Sequence, residues 1–249
     1  MGYISMIAWS VSFYFMAYEV IKVKNSDGFS INYLMLNFLG YTYYSTYNVY
    51  GYKYNASYNS SGQLHISDCI FAIHGLFMTS VHIVLVLYYP RTTNRVKIIW
   101  LGFAVMSIMA LGIYAIIDQK VESIVKLMGL MKVAISFVKY VPQVYLNCIR
   151  RTTLSWSTTN VFLDLTGGLL SFLQIIIDYI DKGKSTQFSS NLNTAKFLLG
   201  IVTVVFDIIF LFQRFVLFPP KKPRVLNNTT GEETIDADDY KKMNSEGNE

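Results

Sequence analysis

Charged residues are scarce in this chain, at 15% of 249 residues against 53% hydrophobic residues. An ordinary soluble domain carries about 25% charged residues, so that class is excluded. A membrane barrel is not indicated either, because segments of about 10 alternating residues are missing. Instead, apolar stretches close to the roughly 20 residues of a spanning helix predict an all-α membrane protein with seven transmembrane helices, at 4–21, 31–50, 66–89, 98–117, 124–149, 160–180 and 196–218.

Groups that do chemistry are also few. The two cysteines, Cys69 and Cys148, fall in different predicted helices near opposite membrane faces, so no disulfide is expected. No nucleophile, base and orienting acid converge, and we expect no enzyme. The first apolar stretch lacks a basic segment before it and is interpreted as a span, not a cleaved signal peptide. Three histidines are spaced too widely for i, i+4 metal-ligand pairs, and no metal site is expected at His65, His74 and His82.

The distribution of Lys and Arg predicts the orientation. Most of them lie in the connections after the first, third and fifth spans and after the last span, which the positive-inside rule assigns to the cytosol. The N-terminus is then lumenal and the C-terminus cytosolic. The net charge of +5 is therefore topological and no nucleic-acid partner is expected. Asn55-Ala-Ser57 and Asn59-Ser-Ser61 are glycosylation sequons on the predicted lumenal side.

A weak internal repeat appears when the chain is aligned with itself at an offset of 127 residues. The offset skips four spans, so both copies have the same orientation, as in several transporter folds. This predicts a three-helix bundle at 1–90, a linking helix at 91–123, a second three-helix bundle at 124–218 and a disordered cytosolic tail at 219–249. The matching positions are Phe29-Ser30 with Trp156-Ser157, Tyr18 with Tyr145, Asn37 with Asp164, and Gly40 with Gly167.

Three acids lie within or at the edges of apolar spans: Asp68, Asp164 and Asp207. A charge inside the bilayer costs several kcal/mol, roughly 3 on insertion scales. Such a carboxyl exchanges its proton between an acidic compartment and the cytosol more readily than a surface one, so these residues are candidate proton carriers. The alternative for each is a buried hydrogen bond that packs helices together.

Lys132 and Lys139 stand two turns apart on one face of the fifth span, directly before Tyr140-Val-Pro-Gln-Val-Tyr145. Snorkelling to the headgroups is the alternative, but it works poorly from the middle of a span. Pro142 removes a backbone hydrogen bond and loosens the helix, which predicts a hinge at Pro142 and Gln143.

Amides and one more lysine occupy the same helices. Asn160 and Asp164 are i and i+4 and share a helix face. Acids, ammonium groups and amides together suit a zwitterion, whose two charged groups both need partners once dehydrated. The further candidates for this cavity are Asn37, Asn147 and Lys196.

Longer motifs point to a family. Lys139-Tyr-Val-Pro-Gln-Val-Tyr-Leu-Asn147, Ser155-Trp-Ser-Thr-Thr-Asn-Val-Phe-Leu-Asp-Leu-Thr-Gly-Gly168 and Ser171-Phe-Leu-Gln174 resemble the second PQ-loop repeat of the cystinosin family of lysosomal cystine exporters. The resemblance extends over about residues 2–218. It implies two parallel three-helix bundles of PQ-loop repeats, with the first repeat degenerate because Phe15-Met16 stands where the family has its first Pro-Gln pair.

The resemblance also implies export of L-cystine with protons from the lumen of a lysosome or vacuole, with no cofactor beyond the transported proton and with membrane lipid around the helices. Tyr240-Lys-Lys-Met243 has the form that sorting adaptors read. Another amino acid or a sugar as substrate, or a trafficking receptor without transport, remain alternatives. Carried over to this chain, the substrate site is Trp9, Asn37, Lys139, Asn147, Asn160, Asp164 and Lys196, and the titrating acids are Asp68, Asp164 and Asp207.

Overall fold

The structure is a computed structural model that describes residues 2–54, 66–89, 97–153, 157–181 and 194–219. Every regular element in these ranges is helical, which confirms the predicted all-α class. The seven helices follow the seven apolar stretches: α1 Gly2–Val23, α2 Ile31–Lys53, α3 Ile66–Tyr88, α4 Ile98–Asp118, α5 Val121–Arg150, α6 Thr158–Asp181 and α7 Thr194–Phe212, the last continued by a π-helical turn Gln213–Leu217.

Hydropathy divides the helices into two groups. Over the described residues, four segments are long and apolar enough by themselves to cross a membrane, and they lie in α1, α3, α4 and α7. The others, α2, α5 and α6, carry Asn37, the two lysines and Asp164. The less apolar helices therefore hold most of the predicted substrate site, as expected if their polar residues face inward.

Helix packing repeats along the chain. In the first copy α3 packs against both α1 and α2, and in the second copy α7 packs in the same way against α5 and α6. The two copies meet through α2 with α5 and through α1 with α6, which are equivalent contacts under the offset of 127 residues. α4 contacts α5 and α2 from outside this arrangement. The helix contacts thus repeat along the chain, while the parallel arrangement of the two bundles and the domain boundaries stay predictions.

A glycine sits at each of the two equivalent contacts between the copies. Gly40 on α2 lies against Ile135 and Lys132 of α5, and Gly167 on α6 lies against the indole of Trp9 on α1. A Cβ at Gly167 would stand 2.6 Å from Nε1 of Trp9. The matched glycines found in the sequence thus lie at close contacts between helices of the two copies.

An aromatic core closes one end of the helix bundle. We call it the loop end, because it contains the α1–α2 connection at residues 24–30; the positive-inside rule assigns it to the cytosol. The ring of Tyr140 is 4.9 Å from Phe206, 5.8 Å from Phe210 and 5.8 Å from Tyr33, measured between centroids. Phe29 from the connection joins the same buried cluster. The loop end is therefore packed shut by side chains from both copies.

Gly167→Ala tests the close contact between α6 and α1. The new methyl group meets the Trp9 indole, and overpacking of this kind costs about 1–3 kcal/mol. We expect a lower Tm for the detergent-purified protein by scanning fluorimetry. Gly112→Ala is the matched control, because a Cβ at Gly112 meets nothing within 4 Å. Equal Tm values for the two variants would contradict the packing described.

Candidate functional site

A cavity of about 70 Å³ lies among the helices, next to the aromatic core. It has room for a few water molecules. Its walls come from both copies of the repeat, and its aromatic members include Tyr33, Tyr41 and Tyr140. The polar side chains that line it include Trp9, Lys132, Ser136, Lys139, Asn160 and Asp164.

Both lysines of α5 are buried at this cavity. The exposed fractions are 3% for Lys132 and 5% for Lys139, so neither side chain snorkels to the membrane surface. Within the described ranges the one salt bridge is Lys126 with Glu122, at the beginning of α5. The two ammonium groups are thus held without a carboxylate at ion-pair distance, and other groups must stabilise them.

Tyr41 of α2 supplies part of that stabilisation. Its ring centroid is 3.8 Å from Nζ of Lys132 and 5.9 Å from Nζ of Lys139, so one ring serves both cations. Tyr140 adds a second ring, 4.6 Å from Nζ of Lys139. Gly75 on α3 makes room for Tyr41, because a Cβ there would be 2.3 Å from the ring. Tyr41 begins a tyrosine-rich stretch at residues 41–58, which by itself is typical of interface anchoring, so the sequence did not single out Tyr41.

A hydrogen-bond chain connects Lys139 to α2 and α3. Nζ of Lys139 donates to Oδ1 of Asn37 at 2.8 Å. Nδ2 of Asn37 donates to Oγ1 of Thr79 at 3.0 Å, and that hydroxyl donates to the carbonyl of Gly75 at 2.7 Å. The chain fixes the direction of the ammonium group and satisfies every buried member along it. Asn37 contacts Lys139 but is not part of the cavity wall, so its predicted contact with substrate stays a prediction.

Asp164 of α6 brings the negative charge to the cavity. Its carboxylate is 3.5 Å from the hydroxyl of Tyr140, and its main-chain carbonyl accepts a hydrogen bond of 3.1 Å from the Trp9 indole. Asn160, one turn earlier, lines the same cavity, as the i, i+4 spacing predicts. The cavity thus joins two ammonium groups, a carboxylate and an amide, which is the mixed-charge chemistry expected from the sequence.

Sequence comparison with known proteins places the chain in a family. The PQ loop repeat family matches residues 124–183. A cystinosin homolog of Caenorhabditis elegans is 34% identical over 230 residues, covering 88% of this chain and 56% of that protein. A cystinosin homolog of Arabidopsis thaliana is 31% identical over 245 residues, covering 94% of this chain and 90% of that protein.

The chain belongs to the cystinosin family. It spans little more than half of the nematode relative and nearly all of the plant relative. A more distant relative, the cystine transporter of Saccharomyces cerevisiae, is 25% identical over 239 residues, covering 87% of this chain and 92% of that protein. The yeast relative is named a transporter, in agreement with the expectation that the chain is not an enzyme.

The Pro-Gln pair of this cystinosin-family chain lies in an unbroken α5, which runs through Pro142. Gln143 is fully buried and connects the two copies at the loop end. Its Oε1 accepts from the main-chain N–H of Ser30 at 2.8 Å, and its Nε2 donates to the carbonyl of Gly28 at 3.0 Å. Gln143, one of the two predicted hinge residues, thus holds the α1–α2 connection in place by two hydrogen bonds in this conformation.

Asn147 connects Gln143 to the end of α7 by hydrogen bonds. Its Oδ1 accepts from Gln143 at 3.0 Å, and its Nδ2 donates to Oε1 of Gln213 at 2.9 Å. Gln213 opens the π-helical turn after α7 and donates to the carbonyl of Val144 at 3.1 Å. We call Gln143, Asn147 and Gln213 the amide network. Asn147 lies in it and not in the cavity wall, so its predicted contact with substrate stays a prediction; Gln213 was missed by sequence reasoning.

The other two membrane acids lie apart from the cavity wall. Asp207 on α7 is 2% exposed, and its Oδ2 has no hydrogen-bond partner among the described residues. It is within electrostatic range of Asp164 and Lys139. Asp68 is buried in the first turn of α3, at the opposite end from the loop end, near Tyr44 and Tyr47. The three acids are therefore not equivalent, and only Asp164 faces the cavity directly.

The first repeat has no Pro-Gln hinge in this chain. α1 is continuous through Phe15 and Met16, and Met16 is buried against the cavity.

The described histidines of α3 contact α1: Nε2 of His74 is 3.1 Å from the Tyr14 hydroxyl, and Nε2 of His82 is 2.9 Å from the carbonyl of Phe13. Both cysteines are free.

Several predicted residues lie outside what the structure describes. The sequons at Asn55 and Asn59, His65 and the adaptor motif at Tyr240 fall outside the described ranges. The backbone of Lys196 belongs to α7, but its side chain is not described. The predictions for these residues stand as made from the sequence.

Gln143→Leu tests the amide network. The change leaves the N–H of Ser30 and the amide of Asn147 without their partner, and each unsatisfied buried group costs about 1–3 kcal/mol. We expect the amides of residues 26–31 to exchange with deuterium roughly tenfold faster or more in detergent micelles, measured by mass spectrometry.

Asn48→Leu is the matched control for that experiment. Asn48 is an equally buried amide, but its Nδ2 donates within α2, to the carbonyl of Tyr44 at 2.8 Å, away from the loop end. This variant should leave exchange at residues 26–31 unchanged. Unaltered exchange in Gln143→Leu would show that the network does not hold the loop end closed.

Proposed function

We propose that this chain is a proton-coupled L-cystine transporter of an acidic organelle membrane, the lysosome or vacuole, that exports cystine from the lumen to the cytosol by alternating access. The N-terminus is lumenal and the C-terminus cytosolic in this proposal. The single observation that carries it is the buried cavity between Lys132, Lys139 and Asp164.

The chemistry of that cavity matches a zwitterion with separated charges. Each end of cystine bears a carboxylate and an ammonium group, and both must exchange water for protein partners inside a membrane. Lys132 and Lys139 offer cationic partners for carboxylate oxygens, while Asp164 and the carbonyl of Asn160 offer acceptors for an ammonium group. A sugar would leave two buried ammonium groups without anionic partners, which makes this cavity costly for such a substrate.

The closed loop end means that the cavity has to open toward the cytosol before substrate can leave. The aromatic core and the amide network block the path from the cavity to the end assigned to the cytosol. A cavity of about 70 Å³ must widen to take cystine. Release to the cytosol then requires the Gln143–Ser30 bond to break. Pro142 eases that motion, because the carbonyl of Val138 lacks a helical N–H partner at position 142.

Proton coupling follows from the buried acids. Asp164 lies within electrostatic range of Lys139 and Lys132, whereas Asp207 has no hydrogen-bond donor at Oδ2 among the described residues. A proton from the acidic lumen neutralises this carboxylate, whose charge costs several kcal/mol within the membrane. The loaded cavity can then switch its opening from the lumen to the cytosol. The higher pH of the cytosol then withdraws the proton. Asp68, near the lumenal end, is the third candidate for this path.

Membership of the cystinosin family supports cystine as the substrate, since the yeast relative is named a cystine transporter. Membrane lipid surrounds the exposed apolar faces, a sorting adaptor reads Tyr240, and glycans attach at Asn55 and Asn59 in this proposal. A receptor without transport is the second candidate, because Phe15-Met16 replaces the first Pro-Gln pair and α1 runs unbroken. In that case cystine or another amino acid would bind without flux.

Uptake of radiolabelled cystine by proteoliposomes tests the proposal. Vesicles with the full chain and an interior at about pH 7.4 are placed at about pH 5.5 or about pH 7.4 outside. Because the proton gradient drives entry, we expect uptake several-fold faster at the acidic pH than at neutral pH or in protein-free vesicles. Cystine binding with no flux at either pH would support the receptor instead, and neither binding nor flux would contradict cystine as the ligand.

Asp207→Asn is the matched variant in the same assay. It keeps the size of the side chain but cannot take up a proton, so we expect the stimulation by acidic pH to disappear while Tm stays within a few degrees. Glu122→Gln, which removes an exposed carboxylate at the start of α5, should behave as the unmodified protein. If acidic pH still stimulates uptake by Asp207→Asn, another acid carries the coupled proton, and the proposal of cystine transport itself is unaffected.

A further inference from the structure

Ser136 lies on α5 between the two buried lysines. It follows Lys132 by four residues and precedes Lys139 by three, so all three share one helix face. The side chain is 3% exposed and lines the cavity. Its hydroxyl has no hydrogen-bond partner within the part of the chain that the structure describes. No motif in the sequence distinguished this serine.

Of the buried serine hydroxyls that lack a hydrogen-bond partner among the described residues, those of Ser45, Ser136 and Ser171, only that of Ser136 lines the cavity of this protein. Hydroxyls in its helices commonly donate to a carbonyl of the preceding turn, as Thr79 does to Gly75 at 2.7 Å, Ser80 to Leu76 at 2.9 Å and Thr166 to Phe162 at 2.7 Å. That local bond is the ordinary way for a helical hydroxyl to be satisfied away from water. A buried donor left without one carries a free-energy cost. Ser136 therefore holds an unused donor at the position where two cations meet.

We propose that Ser136 is a substrate-binding residue whose hydroxyl donates a hydrogen bond to a carboxylate held by Lys132 and Lys139. The inference rests on the proposed function and names the side chain that orients the anionic end of the substrate. One carboxylate has about four acceptor positions. Lys139 already gives one N–H to Asn37, so two of its three N–H groups remain for a carboxylate.

A neutral donor adds something that a third cation would not. It fixes the direction of one carboxylate oxygen without adding charge to a site that already bears two ammonium groups. A hydrogen bond from a hydroxyl to a charged oxygen is also stronger than one between neutral groups. The helix face formed by Lys132, Ser136 and Lys139 thus offers two cationic donors and one neutral donor to a carboxylate. The ring of Tyr41 packs against the ammonium group of Lys132.

Ser136→Ala tests the inference in proteoliposomes that contain the full chain. Removing a hydrogen bond to a charged group is expected to raise KM for cystine about tenfold or more, with a smaller change in the maximal rate. Inhibition by cystamine, which is cystine without its two carboxylates, should be unchanged. Tm should not fall, because the deleted hydroxyl has no partner among the described residues to lose.

Ser171→Ala is the matched control. Ser171 on α6 is 1% exposed, and its hydroxyl is also unpaired among the described residues, but it is not part of the cavity wall. Its KM for cystine should equal that of the unmodified protein. Where Ser136→Ala does not purify as a single species, Ser136→Cys replaces it, since a thiol fills similar space and donates weakly; KM should again rise.

The outcomes separate this inference from the proposed function. Failure of the unmodified protein to transport cystine contradicts the proposed function itself. Normal transport by the unmodified protein together with an unchanged KM in Ser136→Ala overturns the role of Ser136 alone. Equal weakening of cystine and cystamine, or a similar effect of Ser171→Ala, also overturns it, because either result reflects a general distortion of the helices.

Discussion

Two lysine ammonium groups buried on one face of a single helix are the constraint on which the rest of the structure depends. Placing such charges inside a membrane is costly, and the neighbouring helices are arranged to reduce that cost. α2 brings Asn37 and the ring of Tyr41 to the ammonium groups. α6 brings Asp164 to the same cavity, and α3 contributes Gly75, whose missing side chain admits Tyr41. The proposed selectivity for a zwitterion is a consequence of the same arrangement.

The two copies of the repeat are alike in packing and unlike in chemistry. At the offset of 127 residues the lysines of α5 correspond to serines in α1, and Asp164 corresponds to an amide in α2. The charged groups of the cavity wall thus come from the second copy, while the first copy supplies aromatic and neutral polar groups. The Pro-Gln pair follows the same division, since α1 has Phe15-Met16 at the equivalent place. In the proposed cycle, helix bending is concentrated in α5, next to the charges that the substrate must reach.

Much of the fold could be predicted because the spans are encoded locally. The apolar stretches gave helix positions within a few residues, and the i, i+4 spacing correctly joined Asn160 to Asp164. Contacts between helices were less accessible, since they depend on how faces meet in three dimensions. Tyr41 belongs to a tyrosine-rich stretch typical of membrane interfaces, and only its packing against α3 and α5 distinguishes it. Gln213 follows the last α-helical residue, and its contact with Asn147 depends on a π-helical turn that no sequence pattern indicated.

In the proposed mechanism, one mixed-charge cavity binds the zwitterion directly. The most direct measurement is a cryo-electron microscopy structure of the full chain with cystine at about pH 5.5, the pH of an acidic lumen. We expect ligand density in the cavity between α5 and α6, with a carboxylate in contact with Lys132 or Lys139 and an ammonium group near Asp164. Cystine bound elsewhere, or bound in the cavity without contact to either lysine, would contradict it.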